Sequence, residues 1–196
     1  MAGKSKLRDR IVDTALDLAE EDGWGAVRLR RVADRLGLPL AALSAEFRDT
    51  DAVANAWFAR ATAAMLAPPP RGFAGRPAAE RLERIMLRWF DARAPRRRVT
   101  GAMLAAKLHP PHPHHWIPLV FELSRTVQWL REAALLDATG RRRQIEEIGL
   151  TALFLATLRH WLADESPGQK ATRAALARRL ARADGVVARL WPPGPV

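Results

Sequence analysis

An all-α fold is predicted by the sequence, and three observations carry the prediction. Apolar residues recur every three to four positions along most of the 196 residues, which is the period of an amphipathic helix. Ala, Leu and Arg dominate the composition, whereas Tyr is absent and β-branched runs are scarce. Clusters of Gly and Pro separate the periodic stretches. About nine helices are expected, divided between a small domain at residues 1–50 and a larger helical domain at residues 51–196.

Composition also limits the classes of protein that the chain can belong to. No run of eighteen apolar residues occurs, so no membrane-spanning helix is expected. The N-terminal stretch MAGKSKLRDR has no apolar core behind its charges and is not a secretory signal. The absence of cysteine excludes disulfides, thiolate metal sites and a cysteine nucleophile. A soluble, cytoplasmic protein is therefore expected.

Charge is distributed unevenly along the chain. The net charge of +11 invites a nucleic-acid interpretation. Residues 1–50, however, carry nine Lys or Arg and nine acids, so all of the excess lies in residues 51–196, as 23 basic against 12 acidic residues. The excess of arginine is interpreted first as a solvated surface. An acidic protein or an anionic membrane is an alternative partner for it.

The first helix is predicted over residues 5–21, with Ser5 as its N-cap and Asp22-Gly23 as its end. One apolar stripe marks its buried face, and Trp24 is placed to close the small core behind it. The stripe consists of Leu7, Ile11, Val12, Ala15, Leu16 and Ala19.

The next stretch has the spacing of a helix-turn-helix motif. Val32 and Leu36 lie one helical turn apart, and Gly37 can take the positive φ that a tight turn requires. Leu38 and Leu43 then anchor a second helix to the same core. Such a motif normally places its second helix in the DNA major groove. Its two helices are predicted over 28–36 and 39–47.

Six further helices are predicted in the rest of the chain. Thr50 is expected to cap the first of them, and Pro68-Pro69-Pro70 followed by Gly72 is the strongest break. The predicted ranges are 51–66, 78–93, 98–108, 117–136, 142–163 and 168–190.

The arrangement resembles the tetracycline-repressor (TetR) family over about the first third of the chain. The resemblance implies an N-terminal DNA-binding domain and a larger domain that binds a small, often hydrophobic effector. It also implies that the last two helices pair with a second subunit in a four-helix bundle. The residues that carry it are Ile11, Ala15, Leu16, Gly23-Trp24, Val32 to Leu38, Leu43, Phe47 and Asp49 to Val53.

DNA contacts are the first set of site residues that this resemblance implies. Arginines beside the second helix could grip phosphates, although an ordinary exposed face is an equal alternative. In the third helix Leu43 and Phe47 match the family, but the positions that usually carry Ser, Thr, Lys and aromatic residues do not, and Glu46 would repel phosphate. The predicted contacts are Lys4, Lys6, Arg28, Arg30, Arg31, Leu40, Ala41, Ala42 and Ser44.

Effector and dimer contacts are the second and third sets. Large aromatic and Met side chains suit a hydrophobic ligand, although a plain core is the alternative interpretation of the same stripe. The predicted ligand contacts are Met86, Trp89, Phe90, Met103, Trp116, Phe121, Trp129 and Phe154. The predicted dimer contacts, all at helical spacing, are Leu150, Phe154, Leu158, Trp161, Leu176, Leu180 and Val187.

A second resemblance concerns the C-terminal part. The stretches TALFLATLRHWLADESP and TRAALARRLARADGVV look like the lipid-binding accessory proteins of ubiquinone biosynthesis, which share the TetR fold. That resemblance implies a hydrophobic pocket for an isoprenoid or another lipid. Its matching positions are Asp164 to Pro167, Thr172, Arg178 and Arg179.

No catalytic, metal or cofactor site is expected. A phosphate-binding glycine loop, a GxSxG elbow and an HExxH motif are all absent from the sequence. The loop with His109, His112, His114 and His115 could hold Zn²⁺, but prolines stiffen it and no carboxylate joins it. A solvated loop or a pocket mouth is the preferred interpretation of these histidines.

Two functions are therefore weighed against each other. The leading hypothesis is a homodimeric transcriptional regulator that binds duplex DNA and responds to a hydrophobic small molecule. The alternative is a lipid-binding or isoprenoid-binding accessory protein of quinone or lipid metabolism that uses the same fold without binding DNA.

Overall fold

A computed structural model of the protein describes residues 2–108 and 113–190. Across these residues the chain forms nine α-helices and no strand, which confirms the all-α prediction. The helices are α1 (Ala2–Asp22), α2 (Leu29–Leu36), α3 (Leu40–Ser44), α4 (Thr50–Met65), α5 (Ala78–Asp91), α6 (Arg97–Lys107), α7 (Pro113–Ala133), α8 (Gly140–Leu162) and α9 (Lys170–Leu190). None of the described helices is long and apolar enough to cross a membrane.

The helices form two compact units that do not follow the chain order. The first unit contains residues 1–61 and 93–119, and the second contains residues 62–92 and 120–196. The first unit includes α6 because that helix packs on α1. The division into functional domains at residue 50 is a different kind of boundary and stays a prediction.

The core of the first unit forms around one face of α1. Ile11 and Ala15 are fully buried there, as the apolar stripe of the sequence predicts. Helices α2, α3 and α6 contribute further buried side chains to the same cluster. Trp24 is half-buried against it. The contributions from α2, α3 and α6 are Val32, Ala33, Leu43, Val99 and Met103, with Phe47 just after α3, and α4 adds Val53, Ala54 and Trp57.

The turn between α2 and α3 depends on Gly37. This residue has φ 66° and ψ 33°, and its N–H donates to the carbonyls of Ala33 and Asp34. The N–H of Leu38 also donates to Ala33, at 3.0 Å, so the end of α2 is closed by two successive residues. The predicted positive φ is confirmed.

The start of α4 is capped by a different residue from the one expected. Asp49 accepts a hydrogen bond from the N–H of Ala52 at 2.6 Å. Thr50 is instead the first residue of the helix. A carboxylate at the N-cap suits the position better, because it accepts the free N–H and also favours the positive end of the helix dipole.

In the second unit the turn between α8 and α9 is organised by Asp164. Its carboxylate is buried and accepts hydrogen bonds from the N–H groups of Ser166 and Thr172, both at 2.8 Å, and from their hydroxyls, both at 2.5 Å. Burial alone would raise the pKa of Asp164, but these four hydrogen bonds outweigh burial and hold the pKa well below its usual value.

The Gly37→Ala variant should destabilise the protein by about 1 kcal/mol, because an L-residue with a Cβ is strained at positive φ. No atom lies within 4 Å of the added Cβ, so the loss measures backbone strain alone. The free energy of unfolding from urea titration gives the value. The matched variant Gly25→Ala, with open space and no positive φ, should change it little; an equal loss in both would contradict the turn assignment.

The Asp164→Asn variant should lose less stability in acid than the unmodified chain. A carboxylate whose folded-state pKa is lowered adds stability above its unfolded pKa and loses it as the pH falls, here between about pH 5 and pH 2. Urea unfolding across that range measures the difference. Glu165→Gln removes an equal charge from an exposed neighbour and should keep the steep acid dependence; identical curves for all three proteins would refute the role of Asp164.

Candidate nucleic-acid interface

Helix α3 has one buried face and one exposed face. Leu43 and Phe47 are almost completely buried and anchor the helix to the core of the first unit. Helical hydrogen bonding continues past the end of α3, since Ala45 N–H donates to Ala41 and Phe47 N–H to Leu43. At about 100° per residue, Ala41 and Ala45 lie opposite Leu43 and Phe47, and Ser44 lies on the flank between the two sides. These three residues are exposed and form the outer face of α3. Leu40 lies on the same side as Leu43 and Phe47, but in the first turn of the helix it is 50% exposed.

The polar groups near this face are already engaged. The hydroxyl of Ser44 donates to the carbonyl of Ala41 at 3.0 Å, so its hydrogen is used within the helix. Glu46 is half-buried, and its carbonyl accepts a hydrogen bond from Arg8 at 2.8 Å. The Arg8 guanidinium also lies 4.2 Å from the centroid of the Phe47 ring. The contact of Arg8 holds the first turns of α1 beside the end of α3.

The arginines of α2 and its N-cap fall into two classes. Arg31 pairs with Asp22 at 2.5 Å, and Arg35 makes two hydrogen bonds to Glu21 at 2.8 and 2.7 Å, which lower the pKa of that carboxyl. Arg30 is exposed and has no polar partner among the described residues. The cation predicted at Arg31 is therefore balanced by a carboxylate, whereas the cation predicted at Arg30 is not.

Arg28, the N-cap residue of α2, keeps its charge in another way. It is exposed, and its guanidinium donates to the carbonyls of Gly25 and Val27, both at 2.8 Å. Carbonyl acceptors hold the side chain in place without cancelling its positive charge. Arg28 therefore stands as a fixed cation beside the motif.

The acidic residues of α1 form ion pairs with arginines from other parts of the first unit. Arg60 of α4 pairs with Asp9 at 2.9 Å and with Asp13 at 2.5 Å. Arg96, in the turn before α6, pairs with Asp17 and, at 3.9 Å, with Glu20. Together with the two pairs to α2, these contacts balance most of the carboxylates that made residues 1–50 neutral.

The net charge of the first unit differs from that of residues 1–50. The first unit contains fifteen lysines and arginines against ten acids, a net charge of +5. Arg60 and Asp51 cancel, so the excess comes from residues 93–119, which hold five basic residues and no acid. The unit that carries the helix-turn-helix is therefore basic, although its first fifty residues are neutral.

The predicted DNA contacts lie in different environments within this unit. Lys6 is exposed, and Ala42 is only half-exposed, on the flank of the outer face of α3. The side chain of Lys4 lies outside the described residues. The remaining predicted contacts are those placed above: Arg28, Arg30, Arg31, Leu40, Ala41 and Ser44.

Polar contacts in the interior of the first unit join α6 to α4. The indole N–H of Trp57 donates to the hydroxyl of Thr100 at 3.0 Å. Lys107, which is almost completely buried, pairs with Asp51 in the first turn of α4. The residues at which the chain leaves the helix-turn-helix are thus held by the far end of α6.

Arg93 reinforces the same connection just before α6. Its guanidinium is completely buried and donates to the carbonyls of Trp57 and Phe58 at 3.1 and 2.6 Å. It also lies 5.0 Å from the centroid of the Phe58 ring. Burial lowers the pKa of Arg93 to about 9, because desolvation penalises the charged form.

The predicted ligand residues are brought together only in part. Trp89, Phe90 and Phe154 are buried in the second unit, with ring centroids 4.9–5.6 Å apart. Met86 is buried on the same helix as Trp89 and Phe90. Met103 belongs instead to the core of the first unit. Phe121 and Trp129 are exposed on α7, and the side chain of Trp116 lies outside the described residues.

A surface cavity of about 360 Å³ opens elsewhere in the second unit. Its size falls in the range of small-molecule sites. Charged groups rim it, and Arg81 is held there by the carbonyls of Ala134 and Leu135 at 2.8 and 3.2 Å. The lining residues are Ala78, Arg81, Leu135, Leu136, Asp137, Ala138, Arg142 and Glu146.

The predicted dimer residues lie mainly on the inner faces of α8 and α9. Leu150, Phe154 and Trp161 are buried within the protomer, as are Leu176 and Leu180 of α9. Leu158 and Val187 are half-buried. These side chains therefore pack within the protomer, and their role as dimer contacts stays a prediction. The exposed apolar residues of α8, which the sequence interpretation passed over, are Ile145, Ile148, Leu155 and Leu162.

The residues of the second resemblance have a structural role here. Asp164, Ser166 and Thr172 form the hydrogen-bonded turn described above, and Arg178 is exposed on α9. His109 and His112 lie outside the described residues, as do the side chains of His114 and His115.

Solved structures supply the comparison with known proteins. The crystal structure of the TetR transcriptional regulator from Nitrosomonas europaea ATCC 19718 is similar, with 41% identity, 92% of this chain and 99% of that chain covered, and a TM-score of 0.83. The TetR transcriptional regulator from Rhodococcus sp. RHA1 shares the fold at 16% identity, with 90% and 94% covered and a TM-score of 0.64. No family model and no curated protein matches the chain. With 41% identity over almost the whole of the Nitrosomonas protein, this chain belongs to the TetR family of transcriptional regulators.

Proposed function

We propose that the protein binds duplex DNA as a homodimer through the helix-turn-helix of its first unit and regulates transcription in this way. The observation that carries the proposal is the exposed face of α3 in a compact unit with a net charge of +5. Anchoring by Leu43 and Phe47 leaves that face turned away from the core. This is the arrangement that a recognition helix needs to enter the major groove.

Phosphate contacts are assigned to the cations that no carboxylate balances. Lys6, Arg28 and Arg30 are exposed, and none of them is paired with an acid among the described residues. Such cations supply the salt-dependent part of DNA affinity. Arg31 has a smaller role in this proposal, because Asp22 already neutralises it.

Helix α6 is proposed to set the orientation of the recognition helix. Its contacts reach α4 through Lys107 and Asp51, just beyond the end of α3. Recognition helices of a dimer must lie about 34–36 Å apart to meet successive major grooves. A shift of α6 would therefore change DNA affinity through that spacing.

The outer face of α8 is proposed as the dimer contact in place of its inner face. Ile148 is 71% exposed and Leu155 is 44% exposed, although both lie on a helix whose opposite face is already in the core. A helix that is apolar on both faces is normally covered on both. A second copy of α8 and α9 would cover this one, as the family resemblance implies.

The second unit is proposed to bind a hydrophobic effector that controls the protein. The aromatic rings of Trp89, Phe90 and Phe154 offer apolar surface in the second unit, and they are the predicted contacts that lie together. The alternative function, lipid binding without DNA binding, shares this surface. A co-purifying isoprenoid in a protein without DNA affinity would support that alternative.

The Arg30→Ala variant should bind random-sequence duplex DNA more weakly and with a shallower salt dependence. Each lost phosphate contact should lower the slope of log affinity against log salt by about 0.9. Fluorescence anisotropy of a labelled duplex measures both quantities between about 50 and 200 mM salt, because phosphate-dependent affinity falls steeply over that range.

Arg84→Ala is the matched control for that measurement, because it removes the same charge from an exposed site in the second unit. It should leave the slope of the unmodified protein nearly unchanged. Equal slopes for the Arg30 and Arg84 variants would contradict the assignment of phosphate contacts. No affinity of the unmodified protein even at low salt would contradict DNA binding itself.

The Leu155→Glu variant should be monomeric under conditions in which the unmodified protein is a dimer, because it buries a charge without a partner in the proposed interface. Sedimentation velocity gives the mass. Leu66→Glu is the matched control, since Leu66 is 39% exposed and lies just after α4. A dimeric Leu155→Glu variant would show that the outer face of α8 is not the interface.

A further inference from the structure

The outer face of α3 offers almost nothing that can hydrogen-bond to a base. Ala41 and Ala45 are exposed with only methyl groups to present, and beside this face Leu40 exposes half of its apolar side chain in the first turn. Ser44, the single polar side chain on this face, already donates its hydrogen to the carbonyl of Ala41. Direct readout of guanine or adenine uses side chains such as Arg, Lys, Asn or Gln, and this face carries none of them.

Major-groove base edges have one apolar feature, which is the C5-methyl group of thymine. Alanine methyl groups contact it directly, and burying the pair removes apolar surface from water. We propose that the outer face of α3, together with Leu40 at the start of the helix, recognises thymine methyl groups, so that the preferred site is read by apolar contact at thymines. This inference rests on the proposed DNA-binding function and specifies the chemistry of its target.

Small side chains allow α3 to approach the floor of the major groove closely. Ala41, Ser44 and Ala45 add little bulk between the helix backbone and the groove floor, and Leu40 extends the apolar surface at the start of the helix. The neighbouring elements hold it against phosphates: Arg8 fixes the start of α1 beside the end of α3, and Arg28 is the fixed cation at the start of α2.

The positive charge of the first unit favours DNA over a protein as the partner of this apolar face. An exposed apolar helix face could also be covered by another protein. The unit that carries it has a net charge of +5, with Lys6 and Arg30 exposed and unbalanced by carboxylates in the described part of the chain. A polyanion with methyl groups on its groove floor complements both properties at once.

Base analogues test the inference in the full-length protein. Duplexes that bind are first selected from a random-sequence pool. In the best duplex, each thymine is then replaced by uracil, which removes only the C5-methyl group, and in a second duplex each guanine is replaced by 7-deazaguanine, which removes the N7 acceptor. Uracil should weaken binding about fourfold at each contacted thymine, the equivalent of one buried methyl group. The 7-deazaguanine duplex should bind as tightly as the original.

A double-mutant cycle assigns the effect to α3. Leu40→Ala should weaken binding to the thymine duplex, and the uracil substitution should then have a smaller effect than in the unmodified protein. Leu108→Ala is the matched control, since Leu108 is 59% exposed at the end of α6 in the same unit. It should leave the full effect of uracil in place.

The outcomes separate the inference from the function on which it rests. Equal affinity for thymine and uracil duplexes, or a marked loss with 7-deazaguanine, overturns methyl readout while DNA binding stands. An uracil effect that is the same in the unmodified protein and in Leu40→Ala also overturns it. If the random pool yields no bound duplex at low salt, both the inference and the proposed function fail.

Discussion

Helix α1 is the element on which the first unit depends, because both of its faces are used. Its inner stripe, around Ile11 and Ala15, forms the core onto which α2, α3 and α6 pack. Its outer carboxylates pair with arginines from α2, α4 and the turn before α6. Exposed ion pairs contribute only about 0–1 kcal/mol each, so the apolar core supplies most of the stability. The pairs instead fix how the other helices are arranged around α1.

Those ion pairs also decide the electrostatic character of the unit. In the linear sequence the acids of α1 cancel the cations of the helix-turn-helix, which weakens the case for DNA. In the folded unit Arg60 and Arg96 pair with four of these acids, and Lys6, Arg28 and Arg30 are left without carboxylate partners among the described residues. In the proposed complex, phosphate affinity and base readout are separated: the exposed cations would provide the first, and the apolar face of α3 would leave only methyl contacts for the second.

Local patterns predicted the fold, but they do not show which helix faces are exposed. The positive φ of Gly37 and the anchoring role of Leu43 follow from chemistry within a few residues, and both are confirmed. The outer face of α8 could not be chosen in this way, because the helix carries apolar residues on both faces and only tertiary packing shows which is covered. The charge of the folded unit could not be predicted from residues 1–50 for the same reason, since Arg96 pairs with Asp17 from a distant part of the chain.

An NMR titration of the full-length protein with a duplex selected from a random pool tests the central claim most directly. Basic residues occur in both units, and changes in the backbone amide chemical shifts show which helices contact the DNA. We expect the largest shifts around Lys6, in the first turn of α2 near Arg30, and at Leu40, Ala41 and Ala45 of α3. Shifts confined to α8 and α9, with α3 unchanged, would contradict the account.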